Sequence, residues 1–187
     1  MSTDKKKMTF LEKEYISKVI PLLKERFSIT NPHSIPKIEK IVVSMRFGKE
    51  LGDKRAIESG IKELSLITGR KPAQSKARKS IAGFKLREGQ VIGAYCTLRR
   101  DDLYRILENL IYVSLPRIRD FKGFSNSMFD RGMNFSFGIS DHLIFQELSY
   151  DQVYRTRGLD VSIVIKNAKN KEMAICLLQS LNFPVRS

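Results

Sequence analysis

The chain has 187 residues, 42% of them apolar and 29% charged, which is enough for one ordinary domain with its own core. This composition excludes a disordered tail, a collagen-like chain and a membrane protein, since no run approaches the ~18 uninterrupted apolar residues of a membrane span. With 34 Lys and Arg against 20 Asp and Glu it carries a formal charge of +14, an excess that repels itself on folding and is relieved by a polyanion, nucleic acid first among them.

Lys5, Lys6 and Lys7 open a basic tail, residues 1–8, that lacks the apolar stretch of a secretory signal. Thr9-Phe10-Leu11-Glu12 has the spacing of a capping box, and Leu11, Tyr15, Val19, Leu22 and Leu23 recur with helical period up to a kink or restart at Pro21. Asn31-Pro32 and Ile35-Pro36 break the chain, and the β-branched run from Lys37 to Met45 predicts a strand. A second helix follows from Asp53 as N-cap through Ile57, Ile61, Leu64 and Ile67, with Gly69 and Pro72 as stops. Val91 to Leu98 reads as a strand; Asp101 or Asp102 then caps a helix carrying Leu103, Ile106, Leu107, Leu110 and Ile111 until Pro116. Met133 to Ile139 and Val161 to Ile165 read as strands, and Asn170 caps a last helix with Ala174, Ile175, Leu177, Leu178 and Leu181 on its apolar side. Four helices among at least four strands, without βαβ alternation, predict an α+β fold: a mainly antiparallel sheet with helices on one face.

Cys96 and Cys176 show no C-x-x-C spacing, so they read as small core residues in a reducing compartment, and with only His33 and His142 beside them no zinc site or other cofactor site is expected. Both histidines read as surface or turn residues. Asn134-Phe135-Ser136 matches the glycosylation pattern by chance alone.

The positive charge is uneven. Residues 51–100 carry 12 basic and 4 acidic side chains, whereas 101–150 carry 5 and 7. The stretch from Gly69 to Gly89 holds seven basic residues and one acid, Glu88, and has no sustained apolar period, so it predicts a protruding basic loop that orders on its partner. Gln74, Ser75 and Ser80 offer hydrogen bonds to phosphate and 2′-hydroxyl groups, and Phe84 reads equally as a core anchor or a platform for an unpaired base. Leu115 to Phe124 reads as an exposed connection with Arg117 and Arg119 along one edge. The competing class is a nucleic-acid-processing enzyme that holds Mg²⁺ with Asp101, Asp102, Asp120, Asp130 and Asp141; D-x-D, H-E-x-x-H and phosphate-loop spacings are all missing.

Ile67-Thr68-Gly69-Arg70-Lys71-Pro72 and Lys76-Ala77-Arg78-Lys79-Ser80-Ile81-Ala82-Gly83-Phe84-Lys85-Leu86-Arg87-Glu88-Gly89 resemble the family of the fifth protein of the large ribosomal subunit, "L five" of bacteria and organelles. Thr97-Leu98-Arg99, Leu115-Pro116-Arg117-Ile118-Arg119-Asp120-Phe121-Lys122-Gly123, Arg157-Gly158-Leu159-Asp160-Val161 and Phe183-Pro184 extend the resemblance in register over residues 35–187. It implies a single ribosomal-protein domain over 1–187 with no catalytic activity, set in the central protuberance on 5S rRNA and touching 23S rRNA. It also implies that Gln74 to Ala82, with Gln74, Ser75, Lys76, Arg78, Lys79 and Ser80, reaches peptidyl-site tRNA. The 5S rRNA contacts it implies are Ser44, Arg46, Arg70, Phe84, Thr97 and Arg99. Contacts to the small-subunit head protein S thirteen fall on Arg117, Lys122, Phe124, Asp141 and His142.

Ser44 and Arg46 stand where the family usually has Asn and Gly, Arg70 where it has Gln, Arg100 where Gly follows Leu-Arg, and Gln146 where it has Pro. Asp130-Arg131-Gly132-Met133-Asn134-Phe135 replaces a more glycine-rich Asp-Gly-Arg-Gly-Asn-Tyr run. Such drift, with the helix from Ala56 to Gly69, resembles plastid and cyanobacterial versions and implies synthesis within a chloroplast, the bacterial cytoplasm being the other location.

Overall fold

The computed structural model describes residues 8–48, 52–119, 121–150 and 153–186; most of the basic tail lies outside them. Among the described residues the fold is α+β, a five-stranded antiparallel sheet with four helices. The first helix is continuous from α1 (Phe10–Glu14) through a π turn (Tyr15–Val19) into α2 (Ile20–Arg26). Pro21 has no N–H for the carbonyl one turn back, and just ahead of it the ladder widens so that the Ile20 N–H reaches Tyr15 O. Thr9 sits at the N-cap but its hydroxyl caps nothing, so the predicted capping box is not closed.

Strand β1 (Lys37–Arg46), helix α3 (Lys54–Thr68) and edge strand β2 (Ala73–Lys76) follow. Asp53 caps α3 by accepting from the Ala56 N–H at 3.2 Å, and Gly69 ends it at φ 65°, a left-handed conformation that glycine adopts without penalty. Strand β3 (Val91–Leu98) leads to α4 (Asp101–Asn109) and its π extension (Leu110–Ser114). The N-cap of α4 is Arg100, not an aspartate. Asp101 and Asp102 lie inside the helix, in its first turn, where they face the positive end of the helix dipole. Strands β4 (Phe135–Ile139) and β5 (Leu159–Lys166) and helix α5 (Lys171–Ser180) complete the chain, and the strand order is β2-β3-β1-β5-β4.

The residues fall into two compact units. In the first, residues 1–40, 99–135 and 163–187, α1 packs against α4 and α2 against α5 over Leu11, Leu23, Leu103, Leu107, Leu177 and Leu178. Phe124 stacks on Phe183 at 5.5 Å and meets Phe135 edge-on at 5.7 Å. In the second, residues 41–98 and 136–162, α3 packs on β3, and the core holds Ile41, Val43, Met45, Phe47, Leu64 and Leu98. Cys176 is buried in the first unit and Cys96 in the second, both as free thiols.

Two glycines make the second unit's packing possible. A Cβ on Gly93 would stand 2.8 Å from the Met45 carbonyl oxygen, and one on Gly60 would stand 2.5 Å from the Phe47 ring. The buried side of α3 is consequently Ala56, Gly60, Glu63, Leu64 and Ile67, whereas the predicted Ile57 and Ile61 turn half outward.

Candidate nucleic-acid interface

Alternation along β1 and β3 sorts the second unit's sheet into two faces. Ile41, Val43 and Met45 are buried with Ala94, Cys96 and Leu98, and the register pairs Val42 with Thr97, Ser44 with Tyr95 and Arg46 with Gly93 on the other side. Thr97 is exposed and Ser44 half-buried, and Tyr95 keeps 43% of its surface. Ser136 and Ser162 hydrogen-bond across β4 and β5 at 3.0 Å. The open side is therefore polar and small-residue-rich, with one broad aromatic ring.

The predicted basic loop is partly a strand. Gln74, Ser75 and Lys76 lie on β2, whose partner β3 receives it with a bulge between Ser75 and Lys76, and Gln74 and Ser75 point to opposite faces. No β-branched run occurs there; hydrogen bonding to β3 supplies what propensity does not. Beyond β2 the chain doubles back: Ala77 bonds Gln90 and Gly89, and Ile81 and Leu86 exchange both backbone hydrogen bonds, at 2.9 and 3.1 Å. Ser80 Oγ accepts from the Glu88 N–H at 2.9 Å, which ties the one acid of the stretch by its backbone within the arm. Phe84 is 73% exposed at the tip, so the core-anchor alternative does not hold. Among the described residues no carboxylate forms an ion pair with Lys71, Lys76, Arg78, Lys79, Lys85 or Arg87, and all six are exposed or half-exposed. Arg70, also exposed, shares the helix terminus with Thr68, whose hydroxyl bonds the Arg70 carbonyl at 3.2 Å.

Arg46 reaches across to β5. Its Nε donates to Asp160 Oδ2 at 2.8 Å and its Nη2 bonds the same oxygen. The pair borders a depression of 560 Å3 walled by Gly48, Gly138, Ser140, Thr156, Arg157 and Gly158. In the first unit Arg99 pairs with Glu39 at 3.3 Å.

Beneath the depression lies a cluster that sequence reasoning missed. His142 is not a surface residue: it is fully buried, its Nε2 3.0 Å from Glu63 Oε2, while its Nδ1 accepts the Arg157 N–H at 3.1 Å. That acceptor role places the imidazole proton on Nε2, aimed at the carboxylate. Arg157 donates from Nη1 to Glu63 Oε2 at 2.6 Å and from Nη2 to the Ala56 carbonyl at 2.9 Å, and Ser59 donates to Glu63 Oε1 at 2.6 Å. Burial pushes the Glu63 carboxyl up, but the hydrogen bonds from His142 and Ser59 and the charge of Arg157 outweigh it and bring the pKa down to about 2. The signal available in the sequence was one acid on the core side of α3, three residues from Gly60 and next to Leu64.

Of the predicted inter-subunit residues, Arg117 and Lys122 are exposed in the first unit, but Phe124 is buried in its aromatic cluster, since its ring fills the space over Phe183. In the second unit Asp141 caps the turn His142–Ile144 by accepting from the Leu143 N–H at 2.8 Å, and burial removes the His142 side chain from any surface contact. The acids of the enzyme alternative have local duties: Asp130 accepts from the Asn134 N–H at 2.7 Å, Asp101 and Asp102 sit in a helix turn, and Asp120 lies outside the described residues. Among the described residues no three His, Cys, Asp or Glu side chains are placed to hold a metal ion.

An α+β sheet with one polar face, and an arm of exposed cations at its edge, form the kind of surface that suits a polyanion. Residues 31–87 match the family model described as ribosomal protein L5, and residues 91–185 match the model that describes the C-terminus of the same ribosomal family. Proteins named large ribosomal subunit protein uL5 are 45% identical in Leifsonia xyli (95% of this chain, 90% of the relative), 46% in Rippkaea orientalis (95% and 98%) and 47% in Rubrobacter xylanophilus (96% and 99%). The chain belongs to the ribosomal protein L5 family. It is a structural, non-enzymatic constituent of the large ribosomal subunit, located on the ribosome with ribosomal RNA as its partner.

Proposed function

We propose that the open sheet face and the arm divide the chain's RNA contacts: the face, with Ser44, Arg46 and Thr97 and together with Arg70 and Arg99, holds 5S rRNA in the central protuberance, and the arm from Gln74 to Ala82 extends to peptidyl-site tRNA. The observation that carries this reading is the set of exposed arm cations that no described carboxylate pairs with, beside an exposed Phe84 suited to stacking on an unpaired base. Contacts to 23S rRNA follow from the same charge excess. For protein S thirteen the side chains suited to contact are Arg117, Lys122 and Asp141; Phe124 and His142 act from the interior. Identities of 42–47% to the bacterial relatives favour no single source, and the plastid reading rests on the resemblance alone.

Titrating the purified chain with 5S rRNA at rising salt tests the reading. Six phosphate contacts give a slope of log affinity against log salt of roughly −4 to −5, and binding indifferent to salt overturns it. Arg78→Ala with Lys79→Ala weakens tRNA engagement more than 5S rRNA binding; equal losses contradict the division of labour.

A further inference from the structure

We propose that the buried Glu63–Arg157–His142 cluster is a positioning device for RNA binding, which fixes the 156–160 backbone and, through Asp160, the guanidinium of Arg46. The inference rests on the reading that the open sheet face holds 5S rRNA. Among the described residues, the excursion between Ile139 and Leu159 has no strand or α-helix to hold it. Its two ends are tied instead by a reciprocal pair: the Arg157 N–H bonds His142 Nδ1 and the His142 N–H bonds the Arg157 carbonyl, each at 3.1 Å. The His142 ring and the Arg157 guanidinium then both anchor on one oxygen of Glu63 in α3.

Asp160 follows Arg157 closely along the chain. Gly158 passes so near β4 that a Cβ there would stand 3.2 Å from the Ile139 carbonyl oxygen, so little slack separates the buried anchor from the exposed carboxylate. Arg157, Gly158, Asp160 and Arg46 line one depression. Asp160 engages Nε and Nη2 of Arg46, which leaves Nη1 to meet a phosphate. Stability alone does not account for the charges, because apolar side chains of equal volume replace buried ion pairs without loss in other folds. What the charges add is direction: the Nε2–H tautomer and the guanidinium fork each accept one geometry only.

The test uses the full chain carrying Glu63→Met with Arg157→Met. The expected result is an unfolding midpoint near that of the parent, faster amide hydrogen exchange at 156–160 with β1 and β3 unchanged, and about tenfold weaker 5S rRNA binding. Arg46→Ala costs about tenfold in the parent and less than about twofold in the double variant. Undiminished binding, or the full Arg46 cost in the double variant, overturns the inference. Should the double variant not fold, the comparison of His142→Gln with His142→Leu decides. The amide keeps a donor toward Glu63 and retains binding, the alkyl group loses it, and equal binding by both overturns the proposal. A parent chain that binds no 5S rRNA removes the functional reading and this inference together; a parent that binds beside an equally competent variant removes the inference alone.

Discussion

Glu63→Gln removes the negative charge at the centre of the buried cluster while keeping the side chain's shape. In the folded chain the carboxyl titrates at about 2, against an ordinary 4.5. Between those values the unfolded chain binds a proton that the folded chain refuses, so the stability owed to this group is complete above about pH 5 and drains away as pH falls toward 2. Roughly two and a half pH units at about 1.4 kcal/mol each give about 3–4 kcal/mol as an upper bound, in line with the ~3–5 kcal/mol lost when one partner of a buried pair is removed. The side chain is 3% exposed, so water screens little of this. The assay is urea unfolding of parent and variant from about pH 7 to about pH 3. The difference in unfolding free energy is expected to be about 3 kcal/mol at neutrality and to shrink steadily below about pH 5. A difference that is flat with pH, or below about 1 kcal/mol at neutral pH, refutes the argument.

Arg100 holds φ 54° and ψ −127°, a conformation that glycine alone adopts at ease, so Arg100→Gly is expected to raise stability by about 1 kcal/mol despite glycine's greater freedom when unfolded, and a lowered melting temperature counts against it. Gly93→Ala forces a methyl group onto the Met45 carbonyl oxygen and is expected to cost about 2 kcal/mol or more in chemical unfolding; a neutral outcome would mean that β1 and β3 part without penalty. Phe84→Ala leaves the melting temperature nearly unchanged, since the ring is exposed, and weakens RNA binding by about 1–3 kcal/mol through lost stacking. Unchanged affinity in that variant would assign the ring no part in binding.

What the sequence disclosed and what it hid divide along physical lines. The apolar period of Leu103, Ile106, Leu107, Leu110 and Ile111 locates α4 because burial of a helix face is a local pattern, and all five are buried. The alternation of Phe135 and Phe137 locates β4 for the same reason. Strand β2 escaped because Ala73-Gln74-Ser75-Lys76 owes its extended form to β3 and not to its own side chains. The buried cluster escaped because Glu63 lies 79 positions from His142 and 94 from Arg157, and nothing local joins them. The departures from the family pattern were visible as letters only. Arg100 shows what one of them costs, a strained backbone, and Arg46 what another gains, a carboxylate partner on β5.

The strained arginine turn and the unbalanced cations both weaken the isolated chain, and both are tolerable where a polyanion is always at hand. A ligand present at about a hundred times its dissociation constant adds about 2.7 kcal/mol to a fold that binds it. A copy without its RNA forgoes that reinforcement, so the expected outcome is that it opens to a protease sooner than a copy that holds it. Limited proteolysis with and without ribosomal RNA reads this directly, as a lifetime that lengthens only in the RNA's company.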